Sequence, residues 1–219
     1  MKKVHYQPIE KSNRRLQENN LLLLDSGGQY FDGTTDVTRT VALGTPTADM
    51  IHDFTLVLKG HIALAKAKFP LGTCGMRLDT LARAPLWQEG KDFKHGTGHG
   101  VGCFGNVHEG PNRISSGGSL YGFKPNMVTS IEPGYYKENA YGIRIENLYY
   151  SKRTEQNSEF LEFETLTLVP IDKRLIDAYL LDAGERDWLN AYHKKVYERL
   201  AACVNDDEKK WLKESCSPL

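Results

Sequence analysis

H-G-T-G-H-G-V-G, residues 95–102, sets His99 between two glycines. Without Cβ atoms on either side, backbone and ligand can approach the imidazole closely, so the run reads as a tight loop with a reachable histidine. Alone, it reads equally well as a turn holding a hydrogen-bonded histidine. What lies on either side of it matters more. Upstream, Asp25 and Asp36 stand eleven residues apart; downstream, Glu132 and Glu146 stand fourteen apart, each in a segment that reads as a strand.

Working back from the loop, residues 78–88 fit a short helix containing Pro85. Before it, Thr45-Pro46 supplies a cap and a first-position proline, and Ile51, Phe54, Leu58, Ile62 and Ala65 follow at helical spacing until Pro70-Leu71-Gly72. Earlier still, residues 21–25 read as a strand running into Ser26-Gly27-Gly28, with residues 37–43 as its hairpin partner across Asp32-Gly33. A tight turn there pairs Asp25 with a residue beyond Asp36; the two carboxylates face each other directly only if the loop is longer or bulged.

Working forward, V-H-E-G-P brings a further histidine, His108, and a glycine- and serine-rich loop follows over residues 112–125. Residues 127–131 and 143–150 are strand-like, and in the second of these Ile143 and Ile145 alternate with Arg144 and Glu146, so the charged pair shares a face. Residues 163–170 give one more apolar strand. Asp182-Ala183-Gly184-Glu185 resembles a capping box, with Trp188, Tyr192, Val196 and Leu200 recurring every four residues after it. Residues 208–214 suit a terminal helix.

Length and charge narrow the function. The chain has 219 residues, room for one sizeable core with a small appendage. Lysine plus arginine equal aspartate plus glutamate at 28 each, so no positive field favours nucleic acid or an anionic membrane. The longest aliphatic run, Leu21 to Leu24, is too short to span a bilayer, and no signal peptide opens the chain; a cytoplasmic protein is expected. Cys74, Cys103, Cys203 and Cys216 lie far apart, as suits reduced structural thiols.

Asp25, Asp36, Glu132 and Glu146 bring four negative charges, which repel one another if buried together without cations. Any one of these acids alone reads as solvated or salt-bridged, but Glu132 and Glu146 interrupt apolar strands and Asp25 ends a run of four leucines. Two divalent ions would balance the four charges. One histidine with oxygen donors favours manganese(II), cobalt(II) or zinc over a thiolate-type site, and such a pair of ions activates water for hydrolysis. His52, His61 and His193 fall on helices and read as ordinary; Asp32 is a turn residue and Glu109 has no assigned role.

Five segments, D-S-G-G-Q-Y-F-D-G-T-T-D-V-T-R-T (25–40), H-G-T-G-H-G-V-G (95–102), V-H-E-G-P (107–111), S-I-E-P-G-Y-Y (130–136) and G-I-R-I-E-N (142–147), resemble in order and spacing the pita-bread metallopeptidases. Within them the chain is most similar to the Xaa-Pro aminopeptidases of the large cytosolic type. The resemblance implies an α+β pita-bread fold, a curved antiparallel sheet with outer helices. It implies a catalytic domain over residues 1–157 and a C-terminal extension over 158–219 that contributes to a homodimer. It further implies two ions, manganese first with zinc or cobalt as alternatives, ligated by Asp25, Asp36, His99, Glu132 and Glu146. Glu132 would also take the proton of the attacking water; His5, His95 and His108 would bind substrate and stabilise the tetrahedral intermediate; Arg144 would orient ligands. The implied substrates are peptides with proline second.

In that family further chain precedes the equivalent of His5, whereas four residues do here, so the sequence reads as an N-terminally shortened form with part of its sheet uncovered. Rival readings are a prolidase or methionine aminopeptidase of the same fold, and a non-catalytic binding module; the retained ligands and the tail argue against them.

Overall fold

The structure, a computed structural model, describes residues 9–13, 15–118 and 120–219. His5 lies outside them. Strands β1 (Asn20–Tyr30) and β2 (Gly33–Leu43) form a long antiparallel hairpin. Both strands are longer than expected: Ser26-Gly27-Gly28 stays in the ladder, and the turn is the two residues between Tyr30 and Gly33. Asp25 pairs with Thr38 and Gly27 with Asp36. Opposed residues share a face, and so do residues two apart on one strand. Asp25 and Asp36 therefore meet diagonally on one face, without a bulge or a longer loop.

Helix α1 (Ala48–Ala65) is capped by Thr47, whose hydroxyl accepts from the Met50 amide at 3.3 Å. Pro46 therefore sits before the cap rather than at the first helical position; Thr47 offers a side-chain acceptor one residue nearer the helix. After the short strand β3 (Lys68–Pro70), helix α2 (Gly75–Trp87) begins three residues earlier than its apolar spacing indicates and runs on through Pro85. Its close approach to α1 depends on Gly60, where a Cβ would stand 2.1 Å from the Ala82 carbonyl oxygen.

The rest of the sheet is antiparallel throughout. Strands β4 (Gly98–His99) and β5 (Arg113–Ile114) pair, and a four-stranded sheet runs in the order β3, β10 (Phe160–Thr165), β9 (Asn147–Arg153), β6 (Val128–Ile131). Strands β7 (Gly134–Lys137) and β8 (Tyr141–Arg144) form a further hairpin. The expected strand over residues 143–150 is in fact two, because Ile145 and Glu146 leave the ladder: the Ile145 amide donates to Pro133 O and the Glu146 amide to Thr38 O. That break carries Glu146 onto the hairpin face. The strand expected over residues 163–170 is Phe160–Thr165 instead; beyond Thr165 the Leu148 amide turns to the Thr167 hydroxyl (2.8 Å), and residues 166–170 pack as irregular chain.

Helices α3 (Ala183–Leu200) and α4 (Asp206–Ser215) close the fold. Asp182 and Glu185 form the expected capping box. Leu189, Tyr192 and Val196 enter the same core as Phe54, Val57, Leu58, Ile62, Ile143 and Ile145, so the last third of the chain packs directly on α1 and the sheet. No helix among the described residues is long and apolar enough to cross a membrane.

His61 lies wholly inside this core, its Nδ1–H donating to Ile145 O and its Nε2 accepting from the Tyr149 hydroxyl at 2.7 Å. Burial drives its pKa down from 6.5 to about 3, with Arg39 adding to the effect. Between those values the unfolded chain binds a proton that the folded chain refuses, so stability falls as pH drops below about 6.5, by up to ~1.4 kcal/mol per unit for this group. Urea unfolding at pH 7 and pH 5 is expected to show a loss about 2 kcal/mol larger in the wild type than in His61→Gln; equal losses would show that His61 is not held neutral.

Candidate metal centre

The hairpin face, the loop around β4, the residue after β6 and the break before β9 converge on one cavity of about 360 Å³, lined in part by Asp25, Asp36, His108, Glu132 and Glu146. Small residues make the convergence possible. Gly98 lies so close to β6 that a Cβ there would stand 2.1 Å from Ser130 O. The His99 amide donates to Ser130 Oγ (2.9 Å) and the Glu132 amide to Thr97 O (2.7 Å), locking the histidine loop beside Glu132. From below, Asp79 accepts from the Thr97 hydroxyl, while Arg83 holds Asp79, Asp92, Phe93 O and His95 O.

The five expected ligands stand together. His99 Nε2 is 3.4 Å from Asp36 Oδ2 and 3.3 Å from Glu132 Oε1. Three sets of potential donor atoms each lie within 4.8 Å of one another: Asp36, His99 and His108; His99, Glu132 and Glu146; and Asp25, Asp36 and Glu146. Because His99 Nδ1–H donates to Gly100 O, Nε2 is the ring nitrogen turned toward the acids. That Nε2 and Glu146 Oε1 are buried and, among the described residues, without hydrogen-bond partners.

Electrostatics agree with a cation between them. Burial raises the Glu146 pKa well above the ordinary carboxylate range, and the nearby charges of Glu132 and Asp36 raise it further; the Thr38 hydroxyl, 2.7 Å from Oε2, opposes this. Burial disfavours charged His99, but Asp36 and Glu132 outweigh it and raise its pKa. Burial likewise opposes ionised Glu132, while His99 holds its pKa low. A divalent ion supplies the positive charge this cluster lacks, and the oxygen and imidazole donors suit a hard or borderline ion. The donor set fits.

Around these five residues, Arg144 is buried and donates to Asp25 Oδ2 (2.5 Å) and Tyr136 Oη (2.7 Å), with Nε 3.9 Å from Glu132 Oε2. Tyr136 Oη donates to His95 Nε2 (2.9 Å), whose Nδ1–H donates to Gly96 O. Both His95 nitrogens are thus engaged, and a substrate contact from this ring requires the Tyr136 bond to open. His108 is exposed, its ring centroid 4.2 Å from that of His99. Asp32 lies in the hairpin turn, and Glu109 braces the loop before it by accepting from the Asn106 amide. His52 pairs with Glu89 and His193 accepts from the Ile171 amide, both on helices away from the cavity. All four cysteines are free thiols.

Sequence reasoning missed Thr38, Ser130 and Tyr136. Thr38 was findable, being two residues from Asp36 and so on the same strand face. Ser130 and Tyr136 sit in the S-I-E-P-G-Y-Y segment, but nothing in their spacing shows that their hydroxyls reach Glu132 and His95.

Comparison with known proteins places the chain. The chain is 50% identical to Xaa-Pro aminopeptidase app-1 of Caenorhabditis elegans over 98% of its own length and 36% of that protein's, and 47% identical to aminopeptidase P2 of Arabidopsis thaliana over 99% and 31%. It thus spans about a third of the length of the curated relatives it matches. Among solved structures it is similar to the X-prolyl aminopeptidase of C. elegans, described as a cytosolic enzyme with a di-nuclear active site (TM-score 0.94, 49% identity, 98% of this chain and 36% of that one). It is also similar to the prolidase of Pyrococcus furiosus (TM-score 0.58, 33% identity, 64% and 40%). The fold is the α+β pita-bread fold of these enzymes. A family model for the C-terminal region of peptidase M24 matches residues 159–219. With residues 2–153 matched by the model of metallopeptidase family M24, the chain belongs to that family.

Proposed function

We propose that this chain carries the catalytic centre of a metal-dependent aminopeptidase that removes the N-terminal residue from peptides with proline second. The reading rests on one observation above others: four carboxylates and an imidazole crowd one site, with Glu146 Oε1 and His99 Nε2 buried and without a hydrogen-bond partner among the described residues. The names of the relatives support the substrate class, and the di-nuclear site of the C. elegans enzyme supports two ions. Asp25, Asp36, His99, Glu132 and Glu146 would hold them, manganese(II) first and zinc or cobalt as alternatives. Bound there, divalent ions lower the pKa of a water and polarise a carbonyl.

The remaining steps fall to the chain's own groups. Glu132, steadied by the Ser130 hydroxyl at 3.1 Å, takes the proton of the attacking water. Arg144 aims Asp25 and the Tyr136 hydroxyl; His108 at the rim, together with His95 once its bond to Tyr136 opens, binds the peptide and stabilises the oxyanion. His5 is assigned to substrate binding by the family resemblance. Residues 1–157 form the catalytic domain and 158–219 an extension that supports a homodimer, in a cytoplasmic protein like its C. elegans relative.

The test is cleavage by the full-length protein. Loaded with manganese(II), it is expected to release the first residue of an Xaa-Pro tripeptide faster than it splits an Xaa-Pro dipeptide, and to lose that activity to a chelator. Dipeptide preference would favour a prolidase. Failure to cleave or to take up any divalent ion would leave a binding module.

A further inference from the structure

Arg39 sits on β2, one residue past Thr38, and is 7% exposed. Among the described residues its six hydrogen bonds all go to neutral acceptors. A buried guanidinium without an acid partner is costly, so its retention calls for a reason beyond packing. Its contacts fall into two groups. Nη1 donates to Thr38 O (2.9 Å) and Glu146 O (2.6 Å), the carbonyls of two segments already joined by the Glu146 amide bond to Thr38 O. Those segments carry Asp36, the Thr38 hydroxyl and Glu146. Nη2 and Nε reach Val169 O (2.7 Å), Tyr192 Oη (3.0 Å) and Pro170 O (3.0 Å), all in the C-terminal region, with Asn147 Oδ1 (2.6 Å) between the two groups.

We infer that Arg39 is a positioning residue through which the C-terminal region, by way of Val169, Pro170 and Tyr192, sets the placement of the segments bearing Asp36 and Glu146. This rests on the reading of those acids as ion ligands. Arg39 touches carbonyls rather than the ligand side chains, and it acts on the site by fixing the backbone. The planar fork is what lets one side chain satisfy both groups at once; a lysine ammonium, with three donors on a flexible stem, cannot span them. Tyr192 is the outer end of the link. It accepts from Arg39 and the Val169 amide, donates to Val169 O at 2.7 Å, and stacks flat on Trp188.

Two variants of the full-length protein test this, Arg39→Lys and Tyr192→Phe, the second keeping the stacked ring. Manganese(II) affinity is measured by calorimetric titration and the melting temperature of the ion-free protein alongside it. Arg39→Lys is expected to weaken manganese(II) binding 10–100-fold, as loss of an outer partner of a metal ligand does, and Tyr192→Phe by about tenfold. Variants that melt earlier ion-free but bind manganese(II) as the wild type does would overturn the inference, since that is what a packing role alone produces. Should Arg39→Lys fail to fold, Tyr192→Phe decides alone. A wild-type protein that takes up no divalent ion overturns the ion-site reading itself, and the inference with it.

Discussion

Glu132→Gln in the full-length, manganese-loaded protein is expected to cut kcat on an Xaa-Pro peptide by about 10²–10⁴-fold while leaving the fold intact. The amide copies the shape of the carboxylate and can still accept from Ser130 Oγ, so the β6 end and the His99 loop keep their places. What it cannot do is accept a proton. It also removes one of the negative charges facing His99, so the ions would bind more weakly as well, and the two effects must be separated. Rates are therefore compared at saturating manganese(II), with ion content per chain measured on the same samples. A variant that holds its full complement of ions and still hydrolyses the peptide at the wild-type rate would remove Glu132 from the proton-transfer role. A variant restored to full rate simply by more manganese(II) would make it a ligand and nothing more.

Much of this centre was readable from residue types and periodicity, and the part that was not has a common cause. Asp25, Asp36, His99, Glu132 and Glu146 stand out in sequence because acids and histidine are poor occupants of apolar strands and glycine loops, which is a local property. The diagonal meeting of Asp25 and Asp36 needed only the parity of a hairpin: the tight turn pairs Asp25 with Thr38, beyond Asp36, and the two acids still share a face. The break at Ile145-Glu146 was invisible: the run alternates like an unbroken strand, and only the competing acceptors Pro133 O and Thr38 O, one of them more than a hundred residues away, pull it out of the ladder. The strand shift from residues 163–170 to Phe160–Thr165 has the same origin, since β9 and β3 decide where pairing ends. Arg39 was hidden for a related reason. Six acceptors drawn from β2, residues 146–147, the irregular chain after β10 and α3 define it, and no window of sequence contains them all.

Gly98→Ala tests whether the site is set by backbone contact rather than by its polar side chains. The added Cβ would meet Ser130 O at 2.1 Å and Ser130 C at 3.0 Å, and neither atom belongs to a flexible side chain. Relief requires β4 to withdraw from β6, which stretches the His99 amide bond to Ser130 Oγ, the Glu132 amide bond to Thr97 O and the Thr129 hydroxyl bond to His99 O. His99 Nε2 and Glu132 Oε1, now 3.3 Å apart, must separate with them. The expected cost is that of overpacking against rigid backbone, about 3 kcal/mol or more in urea unfolding, together with a 10–100-fold loss of manganese(II) affinity. Gly117→Ala is the control, because its Cβ would meet nothing within 4 Å among the described residues and makes the same kind of change without the clash. If Gly98→Ala matched Gly117→Ala in both stability and ion affinity, close approach of the histidine loop to β6 would not be what assembles the ligands, and the buried hydrogen bonds of Asp79, Thr97 and Arg83 beneath that loop would have to carry the burden instead.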